Sequence, residues 1–82
     1  MISEVKLAIS KMTDRSYITL DVYKDDEDFL IIETTHTEPS YELRYIVSPS
    51  MLESKGLDYV LSVIRLMYFN GLYYAHLYSG LI

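Results

Sequence analysis

The sequence predicts an α+β fold in one domain of 82 residues: an N-terminal helix, a three-stranded antiparallel β-meander, and a C-terminal helix followed by a short helix. Three observations carry this. Apolar residues recur at helical spacing before residue 13 and after residue 56, alternation replaces that spacing at residues 17–23 and 41–47 on either side of a β-rich run, and the connections between these runs are hairpin-short.

Ile2, Val5, Ile9 and Met12, with Ala8 beside them, form the apolar stripe of an amphipathic helix from about Ser3 to Met12. Thr13, Asp14, Arg15 and Ser16 then break the pattern with turn-forming side chains. From Tyr17 to Tyr23, Ile18, Leu20 and Val22 alternate with Tyr17, Thr19, Asp21 and Tyr23, which is the period of a half-buried strand. A second β-rich run covers Phe29 to Thr35, and the polar segment from Lys24 to Asp28 between the two has the length of a hairpin loop. The third strand, Tyr41 to Val47, follows Pro39, with Tyr41, Leu43, Tyr45 and Val47 alternating with Glu42, Arg44 and Ile46. Strands joined this closely run antiparallel.

Ser50 and Glu53 have the Ser-x-x-Glu spacing of a capping box, so a helix is expected to start there, with Gly56 interrupting its first turn. From Leu57 to Phe69 only Asp58, Ser62 and Arg65 make a polar strip. A helix apolar around most of its circumference needs cover on two sides. The sheet supplies one, and the first helix, the C-terminal segment or a second protomer the other. Asn70-Gly71 is a helix stop, after which Leu72 to Tyr78 reads as a short helix ending near Gly80. A membrane span competes for this region, because Tyr59 to Ile82 is 24 residues long with one permanent charge, Arg65. Against it stand Arg65, Asn70, Gly71 and His76 inside the stretch, and five tyrosines scattered through it where a membrane protein gathers them at the two ends.

Composition excludes several classes of function. There are no cysteines, hence neither disulfides nor thiolate zinc sites, and with no apolar signal run in Met1 to Met12 a cytosolic setting is expected. Twelve acidic against seven basic residues give a net charge of -5, which argues against a direct nucleic-acid binder. The charge is local. Asp21, Asp25, Asp26, Glu27, Asp28, Glu33, Glu38 and Glu42 are accompanied by Lys24 alone, which leaves -7 between residues 21 and 42 and +2 elsewhere.

No catalytic residues, metal ligands or cofactor site are assigned, and the chain is read as a non-enzyme. His36 and His76 stand 40 positions apart in no ligand spacing, and read as a polar loop histidine after the second strand and a helix-surface or half-buried one. No Gly-x-Ser-x-Gly elbow or Gly-rich phosphate loop occurs. Asp25 to Asp28 lacks the ligand alternation, central Gly and final Glu of an EF-hand.

The acidic hairpin is what remains. It can serve solubility and guard the sheet against edge pairing, or it can steer the domain to a basic, nucleic-acid-holding protein partner. For the second role the partner-binding candidates are Asp21, Tyr23, Asp25, Asp26, Glu27, Asp28, Glu33 and Glu42, with Tyr17 and Tyr23 as outward aromatic anchors. Carboxylates two apart on one strand face repeat about every 6.6–6.8 Å, comparable to two nucleotides of a DNA strand at about 3.4 Å each.

The order helix, meander, helices broken at Phe69-Asn70-Gly71, with an acidic turn after the first strand, resembles the small phage-encoded anti-CRISPR inhibitors of Cas9. The resemblance is one of architecture and carries no shared motif. It implies an acidic surface, here Asp25 to Asp28, that meets an arginine-lined site where Cas9 reads the PAM. Two hypotheses follow. One is an acidic inhibitor of phage origin acting on a basic partner. The other is a structural module that forms a homodimer or larger homo-oligomer through Leu57 to Phe69.

Overall fold

The computed structural model describes residues 1–13 and 17–78. Among the described residues seven elements follow one another: α1 (Ile2–Met12), β1 (Tyr17–Lys24), β2 (Leu30–Thr37), β3 (Ser40–Val47), α2 (Pro49–Lys55), α3 (Leu57–Phe69) and β4 (Tyr74–Leu77). The α+β class and the antiparallel meander of β1, β2 and β3 are as the alternation predicts. The expected turn at Asp14 to Ser16 and the helix end near Gly80 lie outside the described residues.

The C-terminal segment corrects the expectation most. Leu72 to Tyr78 is not a helix; Tyr74–Leu77 is a fourth strand, laid parallel to β3, so that the sheet order is β1-β2-β3-β4. Tyr73, Ala75 and Leu77 face inward while Tyr74, His76 and Tyr78 face outward, a period of two hidden in the sequence because tyrosine occupies both faces. α3 is ended by Gly71 at φ 76°, with the Leu72 N–H donating to the Met67 carbonyl at 2.8 Å. The fully buried Tyr45 then donates its hydroxyl to the Leu72 carbonyl at 2.6 Å and ties the connection to the sheet.

The helix after the meander starts earlier than the Ser50–Glu53 spacing suggests. Ser48 is the cap, its Oγ accepting from the Met51 N–H at 3.0 Å, and Pro49 occupies the first turn, where a missing N–H costs nothing. Gly56, at φ 86° and ψ 160°, forms the corner between α2 and α3 in a conformation essentially reserved for glycine.

All three helices contribute to the core on one face of the sheet. Val5, Ile9 and Met12 of α1, Met51 of α2, and Val60 and Ile64 of α3 meet Val22, Leu30, Ile32, Leu43, Tyr45, Val47 and Leu77. At one end this core is aromatic. His36, which the sequence reading placed in a loop, lies in β2 and is buried, stacked on Tyr41 at 4.1 Å and edge-on to Tyr17 at 6.1 Å. A bulge between Tyr17 and Thr19 corrects a second expectation. It turns Tyr17 to the core beside His36 and leaves Ile18, expected inside, 64% exposed. α3 rests on the sheet through Val60 and Ile64 and meets α1 along the flank of Leu61 and Arg65, while Tyr59, Leu66 and Phe69 remain exposed. Among the described residues no helix is long and apolar enough to cross a membrane.

Candidate functional site

Among the described residues the opposite face of the sheet carries no helix, and the register fixes what stands on it. Thr19, Asp21 and Tyr23 of β1, Ile31, Glu33 and Thr35 of β2, Glu42, Arg44 and Ile46 of β3, and Tyr74 and His76 of β4 all point outward. One row crosses all four strands as Asp21, Glu33, Arg44, Tyr74, and the next as Tyr23, Ile31, Ile46, His76. Ile31 and Ile46 are buried although they lie on this side. They form an apolar floor for the polar residues around them.

Glu33 is the hub. It accepts the Tyr23 hydroxyl at 2.6 Å, and the Arg44 guanidinium lies 3.7 Å from its other oxygen. That ion pair is half-exposed and contributes little to stability. The hydrogen bond to Glu33, with burial and the Glu33 charge, raises the Tyr23 hydroxyl above its ordinary pKa. Asp21 stands directly across from Glu33, a like-charge pair that disfavours the fold. Asp21 and Glu42 make no hydrogen bond or ion pair among the described residues. A shallow depression of about 400 Å³ opens between Asp21, Glu33, Glu42, Arg44 and Tyr74. An acidic, partly aromatic hollow of this kind suits a guanidinium or ammonium group.

Of the predicted candidates, the fold therefore gathers Asp21, Tyr23, Glu33 and Glu42 on one surface. Asp25, Asp26, Glu27 and Asp28 occupy the exposed β1–β2 turn at one end of the sheet. Their roles differ. Asp25 builds the turn, its carboxylate accepting from the N–H groups of Glu27 at 2.9 Å and Phe29 at 3.0 Å. Asp28 holds the left-handed conformation at φ 64°, and the side chains of Asp26, Glu27 and Asp28 project without partners among the described residues.

Two expectations do not survive. Among the described residues no strand carries two outward carboxylates two residues apart: Asp21 is flanked by Thr19 and Tyr23, Glu33 by Ile31 and Thr35, and Glu42 by Arg44. The negative charge spreads across three strands instead of running along one. Tyr17, turned inward by the bulge, is not an anchor of this face.

Sequence reasoning missed Arg44, Tyr74 and His76 as members of the surface. Arg44 was recoverable, since it alternates with Glu42 and Ile46, but β4 was not. On β4, His76 accepts or donates at both ring nitrogens, 3.0 Å from the Tyr74 hydroxyl and 2.8 Å from that of Tyr78, and Tyr78 meets Phe29 edge-on at 6.0 Å. Among the described residues no three His, Asp or Glu side chains converge to hold a metal ion.

Compared with known proteins, the chain matches no family model, no curated protein sequence and no solved structure. What fold and site define is a small α+β protein with one open, acidic sheet face.

Proposed function

We propose that this protein is a non-catalytic, acidic protein-binding inhibitor that occupies the basic nucleic-acid site of a defence nuclease such as Cas9. One observation carries the reading: the uncovered sheet face presents Asp21 and Glu42 without counter-ions among the described residues, around a hollow with room for a basic side chain. Placing two like charges opposite each other, as Asp21 and Glu33 are, works against folding, and such a cost is typical of surfaces kept for binding. Asp26, Glu27 and Asp28 in the neighbouring turn extend the negative field and steer a cationic partner.

The partner contributes arginines or lysines that otherwise hold phosphates, and the inhibitor competes with DNA for them. The test is competition. A labelled, PAM-containing duplex is bound to a Cas9–guide RNA complex and titrated with this protein at rising ionic strength. Displacement is expected at low salt and fades as salt is added. Displacement independent of salt, or none at all, overturns the reading.

A further inference from the structure

The two edges of the sheet are built differently. β1 carries a bulge between Tyr17 and Thr19, the outward charge of Asp21, and Lys24 at its end, the devices by which exposed edges resist pairing. β4 has none of them: Tyr74, Ala75, His76 and Leu77 include no permanent charge and no proline, and their register with β3 is unbroken. Its main-chain groups point both ways. The carbonyls of Tyr73 and Leu77 accept from the N–H groups of Arg44 and Ser48 on the β3 side. In a parallel ladder alternate residues turn both polar groups to the same neighbour. Those of Tyr74, His76 and Tyr78 therefore face the outer edge, which no strand pairs among the described residues.

α3 overhangs this edge. Leu61 and Arg65 line the flank of α3 toward α1, so Tyr59 and Val63 lie on the far flank, with Leu66 beside them on the next turn. Tyr59 and Leu66 are 44% and 66% exposed. Between that flank and β4 lies a cavity of about 240 Å³ lined by Met51, Tyr59, Val63, Met67, Leu77 and Tyr78.

We propose that β4 pairs antiparallel with β4 of a second copy about a two-fold axis at His76, joining two sheets into one beneath the α3 flanks. An open row of alternating N–H and C=O groups is satisfied by an extended strand and by little else. A two-fold contact must match itself, and this edge does. With His76 opposite its own copy, Tyr74 of each chain stands across from Tyr78 of the other. Each of these residues turns its N–H and C=O outward, so every facing pair exchanges both hydrogen bonds. Aromatic cross-strand pairs are favourable, and no charge opposes its twin. The same two-fold brings the Tyr59, Val63 and Leu66 flanks toward each other and covers the exposed Tyr59 and Leu66, on the side of α3 away from α1. This contact goes beyond the inhibitor reading and stands without it. It also responds oppositely to salt: copies of net charge -5 associate more tightly as salt rises.

The experiment is sedimentation equilibrium from micromolar to near-millimolar protein, with residue-resolved amide exchange at both limits. The mass is expected to climb from 9.6 kDa to twice that value. The amides of Tyr74 and His76 are then slow in the concentrated sample and at least about tenfold faster on dilution, whereas Ala75 and Leu77 stay slow throughout. His76→Pro removes an edge N–H without touching the ladder to β3, and Leu66→Glu charges the exposed flank. Each is expected to weaken association at least about tenfold with an unchanged circular dichroism spectrum. A 9.6 kDa species at every concentration, fast exchange at Tyr74 and His76 throughout, or a dimer indifferent to Leu66→Glu overturns the proposal. If His76→Pro does not fold, Leu66→Glu and the wild-type exchange pattern decide the matter.

Discussion

Replacing Tyr45 with phenylalanine isolates the hydrogen bond on which the placement of the fourth strand depends. The ring is fully buried between Ile32 of β2 and Ala75 of β4, and its hydroxyl donates to the Leu72 carbonyl at 2.6 Å. Phenylalanine keeps the ring and its packing, so the loss is the hydrogen bond, a net contribution of about 0.5–1.5 kcal/mol. A domain of this length holds about 4–12 kcal/mol in total, and about 1 kcal/mol moves its Tm by roughly 4–8 °C. Thermal and urea unfolding followed by circular dichroism should register a fall of that size. Amide exchange should quicken at Ala75 and Leu77 more than in β1 and β2. Alkaline pH gives an independent arm. Burial, then the neighbouring Tyr73 and Tyr68 charges, push the Tyr45 hydroxyl well above the ordinary tyrosine value of 10. The fold therefore favours the neutral phenol, and the unfolded chain gives up that proton first. Stability from this group is complete below pH 10 and is lost as pH rises beyond it. Tyr45→Phe should flatten that decline. A variant as stable as the wild type, with the same alkaline slope, would refute the claim that this hydroxyl secures the α3–β4 connection.

Burial lowers the His36 imidazole below 6.5, so the unfolded state takes up the proton first. Stability is full above pH 6.5 and falls as pH drops through the lowered value, by at most about 1.4 kcal/mol per pH unit. Urea midpoints at pH 7 and pH 5 should differ more in the wild type than in His36→Phe. Removing the Ser48 cap by Ser48→Ala should cost about 1 kcal/mol in urea unfolding, whereas Glu53→Ala should cost far less, since Glu53 closes no capping box. Asp21→Asn removes one half of the like-charge pair with Glu33 and should raise the Tm while weakening displacement of DNA from the Cas9–guide complex. A fall in Tm would contradict the arrangement of that pair.

How far the sequence reaches can be read from particular residues. The meander was legible because Leu20 and Val22 alternate with Asp21 and Tyr23, and Leu43 and Tyr45 with Glu42 and Arg44, and α1 because Val5, Ile9 and Met12 share one stripe. β4 was not legible: tyrosine on both of its faces erases the hydropathic alternation, and the parallel pairing with β3 spans sequence that local pattern cannot join. The acidic candidates were legible as a charge excess, yet their arrangement was not. A bulge between Tyr17 and Thr19 reversed one anchor, and the register, invisible in composition, set Arg44 beside Glu33 and left Asp21 and Glu42 without counter-ions among the described residues. Asp25 counts as acid in the sequence and acts as a turn-former in the structure.

The central claim is that the acidic sheet face and its turn compete with DNA for a basic site. Its most direct measurement is displacement of a labelled PAM duplex from a Cas9–guide RNA complex by the wild type and by a variant with Asp21, Asp26, Glu27, Asp28 and Glu42 changed to Asn or Gln, both shown folded by circular dichroism. Displacement by the wild type and a loss of at least about tenfold in the neutral variant are predicted. Equal displacement by the two proteins, or none by either, would contradict the account.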